Sequence, residues 1–268
     1  MFISLKSKFQ VLSVKLAFKG IIFMTITKYD ASGNNFVIFH TNSRKDYSQL
    51  AKTLCKDEDV DGLIVLVPHM VFDFEWLFYN NDGSTASMCG NGTRAVAHYA
   101  FTNKIASNYM KFLTGAGEIS CRVDDDIVET TMTQPEELKK PFTQDGLQWW
   151  HADTGVPHLV TVVDDLDKFD LELCSKMRHE YNANVNFCKV EDGKLLVRTF
   201  ERGVENETLA CGTGMVACFL RVLNLGLIKD SIDVFPKSGE KLTIRKDEKD
   251  NIYFKGKVTN EYSKEIDV

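Results

Sequence analysis

The stretch Met88-Cys89-Gly90-Asn91-Gly92-Thr93-Arg94-Ala95-Val96-Ala97 decides the fold, because a near copy follows at Ala210-Cys211-Gly212-Thr213-Gly214-Met215-Val216-Ala217. In each, a cysteine precedes a Gly-x-Gly turn that opens into an Ala/Val-rich run, the pattern of a buried helix. The two cysteines stand 122 positions apart. At the same offset Gly33 meets Gly155, Phe78 meets Phe200, Ala95 meets Ala217, and Gly117-Glu118 meets Gly239-Glu240. Apolar strand positions such as Phe74 and Leu196 coincide as well. Ordered matches at one spacing predict two copies of one unit, hence two similar domains with a cleft between them.

Working outward, short β runs alternate with turns. Residues 36–39, 62–67 and 72–79 read as strands. Asn80-Asn81-Asp82-Gly83-Ser84 reads as a turn, and a helix starts near Gly90. Residues 111–114 and 119–123 resume strand on either side of Gly115-Ala116-Gly117, and Asp124-Asp125-Asp126 reads as a solvated hairpin turn. Residues 135–146 are polar and carry two prolines and Gln144-Asp145-Gly146, which predicts a linker. The expected class is α+β: two similar domains related by internal duplication, each a curved mixed sheet around a central helix, with the active site in the interdomain cleft. The expected boundaries are 24–140 for the first repeat and 141–268 for the second, whose last strands are free to cross back to the first.

Residues 1–23 differ from the rest: single lysines interrupt an apolar run, and no acid is present. Neither the ~20 unbroken apolar residues of a membrane span nor the layout of a signal peptide is there. We read 1–23 as an N-terminal extension outside the core, with Met24 as an alternative start; a basic membrane-surface helix is the competing reading. From Met24 on, 28 basic residues face 38 acidic ones. That balance argues against nucleic acid as partner. Seven cysteines without a Cys-x-x-Cys pair, and histidines without a His-Glu-x-x-His pattern, point to free thiols in a reducing, cytoplasmic setting and to no metal site. Cys55, Cys121, Cys174, Cys188 and Cys218 read as buried small hydrophobes.

Cys89 and Cys211 read differently. A sulfur at a helix N-terminus meets unpaired N–H groups and the positive end of the dipole, which favour an anion. Glycines after it let a ligand approach the backbone. Two such motifs facing each other clamp one carboxylate and place a sulfur on each side of its α-carbon. One thiolate then removes a proton and the opposite thiol returns one to the other face, the chemistry of a racemase or epimerase. Both motifs also fit Gly-x-Gly-x-x-Ala, a dinucleotide fingerprint. They lack its context, however: each follows a polar turn, and no acid lies between Gly90 and Glu118.

With these residues in place, the chain from about Met24 to Val258 resembles the diaminopimelate epimerase family. The resemblance rests on Ala31-Ser32-Gly33-Asn34-Asn35-Phe36-Val37, Asn80-Asn81-Asp82-Gly83-Ser84, Met88-Cys89-Gly90-Asn91-Gly92, Gly155-Val156-Pro157-His158 and Asn184-Val185-Asn186-Phe187. It is most specific at Glu201-Arg202-Gly203-Val204-Glu205-Asn206-Glu207-Thr208-Leu209-Ala210-Cys211-Gly212-Thr213-Gly214. It implies a cofactor-independent isomerase of lysine and cell-wall precursor biosynthesis that interconverts LL- and meso-diaminopimelate, with Cys89 and Cys211 as the base/acid pair. It further implies that Gly90, Asn91, Gly212 and Thr213 hold the reacting carboxylate. Asn34, Asn80, Asn184, Glu201 and Arg202 then read the distal amino acid end, and His158, with Glu201, assists a thiol. The partner implied is a small amino acid substrate, and the resemblance leaves room for a homodimer.

Two departures stand out. Val156 occupies a place where the family usually has Asn, and Gly33-Asn34-Asn35 stands where Gly-Asn-Asp is usual. A proline-racemase-type enzyme shares the two-cysteine logic but typically has His at the place of Asn91. A non-catalytic binding protein on the same scaffold has no need of both cysteines, and a thiol redox reading makes a disulfide the product, which for an epimerase is inactivation.

Overall fold

The computed structural model describes residues 15–16 and 22–267. Of the expected extension, only the backbone of β1 (Lys15–Leu16) and of the start of β2 (Ile22–Ala31) is described; the two pair antiparallel, and the rest of 1–23 lies outside the described residues. The described residues divide into two compact units, one up to Val128 together with those from Lys257 on, the other Glu129–Gly256. The division falls after Val128 rather than at 140/141, and the last strand belongs to the first unit.

In the first unit β2 is followed by β3 (Asn34–His40), α1 (Ser48–Glu58), β4 (Gly62–Val67), β5 (Phe74–Asn80), α2 (Gly90–Thr102), β6 (Tyr109–Thr114) and β7 (Gly117–Asp124). The β2–β3 hairpin turns on Ser32-Gly33, both at positive φ (60° and 81°), as a two-residue hairpin turn requires. The pairs β3–β4 and β5–β6 are parallel and need crossovers, which α1 and α2 supply. The sheet is covered on both faces. Phe36, Ile38, Ile64 and Leu66 cluster with Ala95, Val96 and Ala97 of α2, while the alternate residues Val37, Phe39, Leu63, Val65 and Val67 cluster with Ala51, Leu54 and Cys55 of α1.

The chain then runs through β8 (Ile127–Thr131), β9 (Glu136–Gln144), β10 (Leu147–Asp153), β11 (Pro157–Val162), α3 (Leu171–Tyr181), β12 (Asn184–Glu191), β13 (Lys194–Glu201), β14 (Asn206–Thr208), α4 (Gly212–Asn224), β15 (Ser231–Phe235), β16 (Leu242–Lys246) and β17 (Ile252–Lys257). β18 (Thr259–Asp267) pairs antiparallel with β2 in the first unit. In the second unit α4 packs against β10, β11, β12 and β13, as α2 packs against β2, β3 and β7 in the first. The pairing pattern repeats: β11–β12 and β13–β15 are parallel, β10–β11, β12–β13 and β15–β16 antiparallel. The partners Phe36 and Gly62 become His158 and Asn184, each 122 residues on. The fold is the expected duplicated α+β unit.

One strand breaks the constant offset. Leu63 faces Tyr79, but Val185 faces Phe200; Phe74 faces Phe112, but Leu195 faces Val234. Thus β13 stands at an offset of 121, and its burial agrees: Phe74, Trp76, Phe78 and Tyr79 are buried, as are Leu195, Val197, Thr199 and Phe200. The matches of Phe78 with Phe200 and of Phe74 with Leu196 are coincidences of composition, because a slip of one residue turns a strand over. Phe200 corresponds to Tyr79, and Glu201 to Asn80.

Residues 135–146 are not a linker. They contain the whole of β9, which returns through Asp145-Gly146 (φ 50° and 75°) into β10. Most of β9 is exposed, so it shows no apolar alternation, and Pro141 falls at a register shift in the β9–β10 ladder, one of the few places a sheet accepts proline. No helix among the described residues is long and apolar enough to cross a membrane.

Candidate active site

Cys89 and Cys211 stand at equivalent positions, each the N-cap of a helix and each in extended backbone conformation (φ −151°, ψ 113° and φ −130°, ψ 109°). The caps differ in detail. Cys89 Sγ accepts the N–H of Gly92 at 3.3 Å, whereas Cys211 Sγ lies 3.6 Å from the hydroxyl of Thr213. The other five cysteines are buried, as the sequence predicts. Burial pushes Cys55 up to about 11 and Cys174 to about 12, and raises Cys218 well above the ordinary thiol range. Thiols held neutral in this way are poor nucleophiles and bases.

In the first unit a chain of side chains runs from α2 to the start of β3. Arg94 is fully buried and donates to Ser32 Oγ and Asn91 Oδ1 at 2.6 Å and to the Lys257 carbonyl at 3.2 Å. Asn91 Nδ2 donates to Asn34 Oδ1 at 2.6 Å, and Asn34 Nδ2 donates to Asp61 Oδ2 at 3.2 Å. Asn80, at the end of β5, donates to Ser84 Oγ, and the next residue, Asn81, donates its backbone N–H to the Asp61 carbonyl. The structure thus brings Cys89, Gly90, Asn91 and Asn34 together, with the Asn80 turn joined to them through Asp61.

In the second unit His158 belongs to strand β11, and it is fully buried. Its Nε2 lies 2.9 Å from Thr213 Oγ1 and its Nδ1 3.0 Å from Asn186 Nδ2. Both ring nitrogens are therefore engaged, and neither by Glu201. Burial, reinforced by Arg202 and His151, pushes His158 down to about 3, so the ring is neutral at physiological pH. Asn184 is buried beside it and accepts the backbone N–H of Arg202 at 2.7 Å. The Arg202 guanidinium donates to the Asn182 carbonyl. Burial raises the Glu201 carboxyl above its ordinary range, partly offset by the Thr208 side chain. The Val156 carbonyl accepts the Thr154 N–H, and Thr154 Oγ1 donates to the Thr213 carbonyl at 2.8 Å, tying this turn to the start of α4.

Arg94, Asp61, Asn186 and Thr199, whose hydroxyl donates to Asn186 Oδ1 at 2.9 Å, are among the residues that shape these clusters without a role in the sequence reading. Asn186 had a signal. Two asparagines two apart in the buried first half of a strand share one face, so Asn186 points where Asn184 points.

Comparison with known proteins agrees with this layout. The diaminopimelate epimerase family profile matches residues 26–138 and 151–260. The chain is 53% identical over 239 residues to the diaminopimelate epimerase of a Nitratiruptor species, covering 88% of this chain and 95% of that protein. It is 54% identical over 239 residues to that of Campylobacter lari, with 88% and 96% covered. Among solved structures, a PhzF-family phenazine biosynthesis protein of Bacillus anthracis superposes with a TM-score of 0.71 at 15% identity, covering 91% of this chain and 99% of that one. A hydroxyproline epimerase of Agrobacterium vitis superposes with a TM-score of 0.66 at 14% identity, with 94% of each covered. At such identities the last two speak for the fold alone. The family match across both units and the high identity over most of the length establish that the chain belongs to the diaminopimelate epimerase family.

Proposed function

We propose that the chain catalyses the cofactor-independent interconversion of LL- and meso-diaminopimelate in lysine biosynthesis, with Cys89 and Cys211 as its base and acid. One observation supports this most: in a duplicated fold, a cysteine caps the same helix at the same position in both copies. A thiolate Sγ takes the α-proton, the electron pair passes toward the carboxylate, and the other thiol delivers its S–H proton to the opposite face. The reverse reaction exchanges the two roles. The first backbone N–H groups of α2 and α4, at Gly90, Asn91, Gly212 and Thr213, meet the charge that grows on the carboxylate. Asn34, Asn80, Asn184, Glu201 and Arg202 bind the distal amino acid end, where a guanidinium suits a carboxylate and a carboxylate suits an ammonium. His158 acts as a neutral hydrogen-bonding group, since burial keeps it unprotonated. The mechanism needs reduced thiols, which fits a cytoplasmic setting; a homodimer is the assembly to test by light scattering.

Incubated in deuterium oxide without added cofactor, the reduced protein is expected to incorporate solvent deuterium at the α-carbon of LL-diaminopimelate, read by mass spectrometry. Absence of exchange with this substrate, together with exchange into proline or hydroxyproline, overturns the substrate. Cys89→Ala and Cys211→Ala are each expected to abolish epimerisation, and full activity in either overturns the two-thiol mechanism.

A further inference from the structure

The Cys211 side of the site contains a hydrogen-bonded line whose direction can be read from its fixed ends. Asn186 is fully buried on β12. Its Nδ2 donates to the Leu159 carbonyl at 3.0 Å, and a carbonyl only accepts, so the amide orientation is settled. Its Oδ1 accepts from the Thr199 hydroxyl at 2.9 Å, which holds the same orientation from the other side. The other Nδ2 proton faces His158 Nδ1 at 3.0 Å, the nearer of its two acceptors, the Asn184 carbonyl lying at 3.4 Å. Nδ1 must accept, so a neutral His158 carries its proton on Nε2 and donates it to Thr213 Oγ1 at 2.9 Å. The Thr213 hydroxyl, having accepted, turns its own proton outward, and Cys211 Sγ lies 3.6 Å away.

Among the described residues, the matching positions of the first unit hold no such line. The residues equivalent to His158, Asn186 and Thr199 are Phe36, Ile64 and Phe78, an apolar group in which the two rings meet edge to face. The line also explains the second glycine of the motif. A Cβ on Gly214 would stand 2.4 Å from Asn186 Oδ1 and 3.3 Å from both His158 Cε1 and Thr199 Oγ1, so only glycine lets α4 approach these groups.

We infer that Asn186, pinned by Thr199 and the Leu159 carbonyl, is a positioning residue that fixes the Nε2–H tautomer of His158 and so directs the Thr213 hydroxyl proton at Cys211. The effect is a donor aimed at the Cys211 sulfur that helps it carry negative charge, whereas Cys89 uses a backbone N–H for the same purpose. This rests on the proposed role of Cys211, but its test needs no substrate and so fails separately from the solvent-exchange experiment.

The test is made in the Cys89→Ala background, with alkylation of Cys211 by iodoacetamide at pH 7.5 followed by peptide mass spectrometry (about pH 7.5 lies below the ordinary thiol pKa). The ring nitrogens of His158 are read by ¹⁵N NMR on histidine-labelled protein. Asn186→Asp presents only acceptors, so His158 is expected to move its proton to Nδ1. Nε2 then accepts the hydrogen bond of the Thr213 hydroxyl, which no longer points at Cys211, and Cys211 alkylation slows by about tenfold. A folded Asn186→Asp protein that keeps the wild-type tautomer overturns the inference. Should that variant not fold, Thr213→Ser and Thr213→Val carry the same question: serine is expected to keep the wild-type alkylation rate and valine to lose it. Equal rates in the two overturn the inference as well.

Discussion

The guanidinium of Arg94 donates through Nη2 to Oδ1 of Asn91 at 2.6 Å, and this one contact orients two amides. Arginine has no acceptor, so Asn91 must offer it oxygen and turn its nitrogen to Asn34. Asn34 in turn accepts with oxygen and turns its own nitrogen to Asp61. Both amides then have an N–H left to offer, the right chemistry for a carboxylate or carbonyl of a ligand. Arg94 reads as a helix residue in the sequence, yet it sits among fixed acceptors with no exposure.

Arg94→Met is therefore expected to leave Ser32, Asn91 and the Lys257 carbonyl with unpaired buried groups, at a cost of about 3 kcal/mol or more. Urea unfolding measures that cost. Arg94→Lys keeps the charge but not the fork, so it should recover part of the stability and little of kcat/KM. Wild-type kcat/KM in Arg94→Lys would show that amide orientation does not depend on the fork.

The glycines of the second motif are expected to respond unequally to alanine. At Gly214 a Cβ meets Asn186 Oδ1 at 2.4 Å, while at Gly212 the nearest atom is Phe254 Cε1 at 3.7 Å. Gly214→Ala should destabilise by about 1–3 kcal/mol, as overpacking does, and shift the unfolding midpoint. Gly212→Ala should be neutral or gain up to about 1 kcal/mol from helix propensity. Equal effects would mean that the polar line under α4 gives way at little cost.

His158 also sets a pH dependence. Its pKa is depressed in the folded protein, to about 3, against roughly 6.5 when unfolded. Below the unfolded value the unfolded chain binds a proton that the folded one does not, so stability is lost as pH falls. The loss is about 1.4 kcal/mol per pH unit between those two values. Unfolding free energies of wild type and His158→Gln at pH 7, 6 and 5 should converge as pH falls, because only the wild type loses this contribution. Parallel curves would mean that His158 titrates normally.

Local signals made the site's skeleton legible. A cysteine followed by Gly-x-Gly and a small-residue run is contiguous in sequence, so both helix starts could be read directly, as could the all-apolar β4. What could not be read depends on partners distant in sequence. The slip of β13 by one residue preserves composition and changes only which residues face which. β9 is a strand by pairing, not by pattern. The burial of Arg94 follows from acceptors 62 and 163 positions away. α1 and α3 were obscured because each buries only a narrow stripe, Ala51, Leu54, Cys55 and Glu58 in one and Cys174 and Met177 in the other.

Val156 offers a last test, of substrate recognition. By the repeat it is the counterpart of Asn34, whose amide already belongs to the Arg94 line, and its own side chain brings no hydrogen-bonding group. Its carbonyl is held by the Thr154 N–H, so the backbone direction at this position is fixed. Val156→Asn adds an amide where the family usually has one, without touching either cysteine. A contact made equally in ground and transition states lowers KM and leaves kcat alone. One such hydrogen bond is worth about 1 kcal/mol, so KM for diaminopimelate should fall roughly fivefold. A change in kcat at constant KM would mean instead that position 156 acts on the reacting end of the substrate.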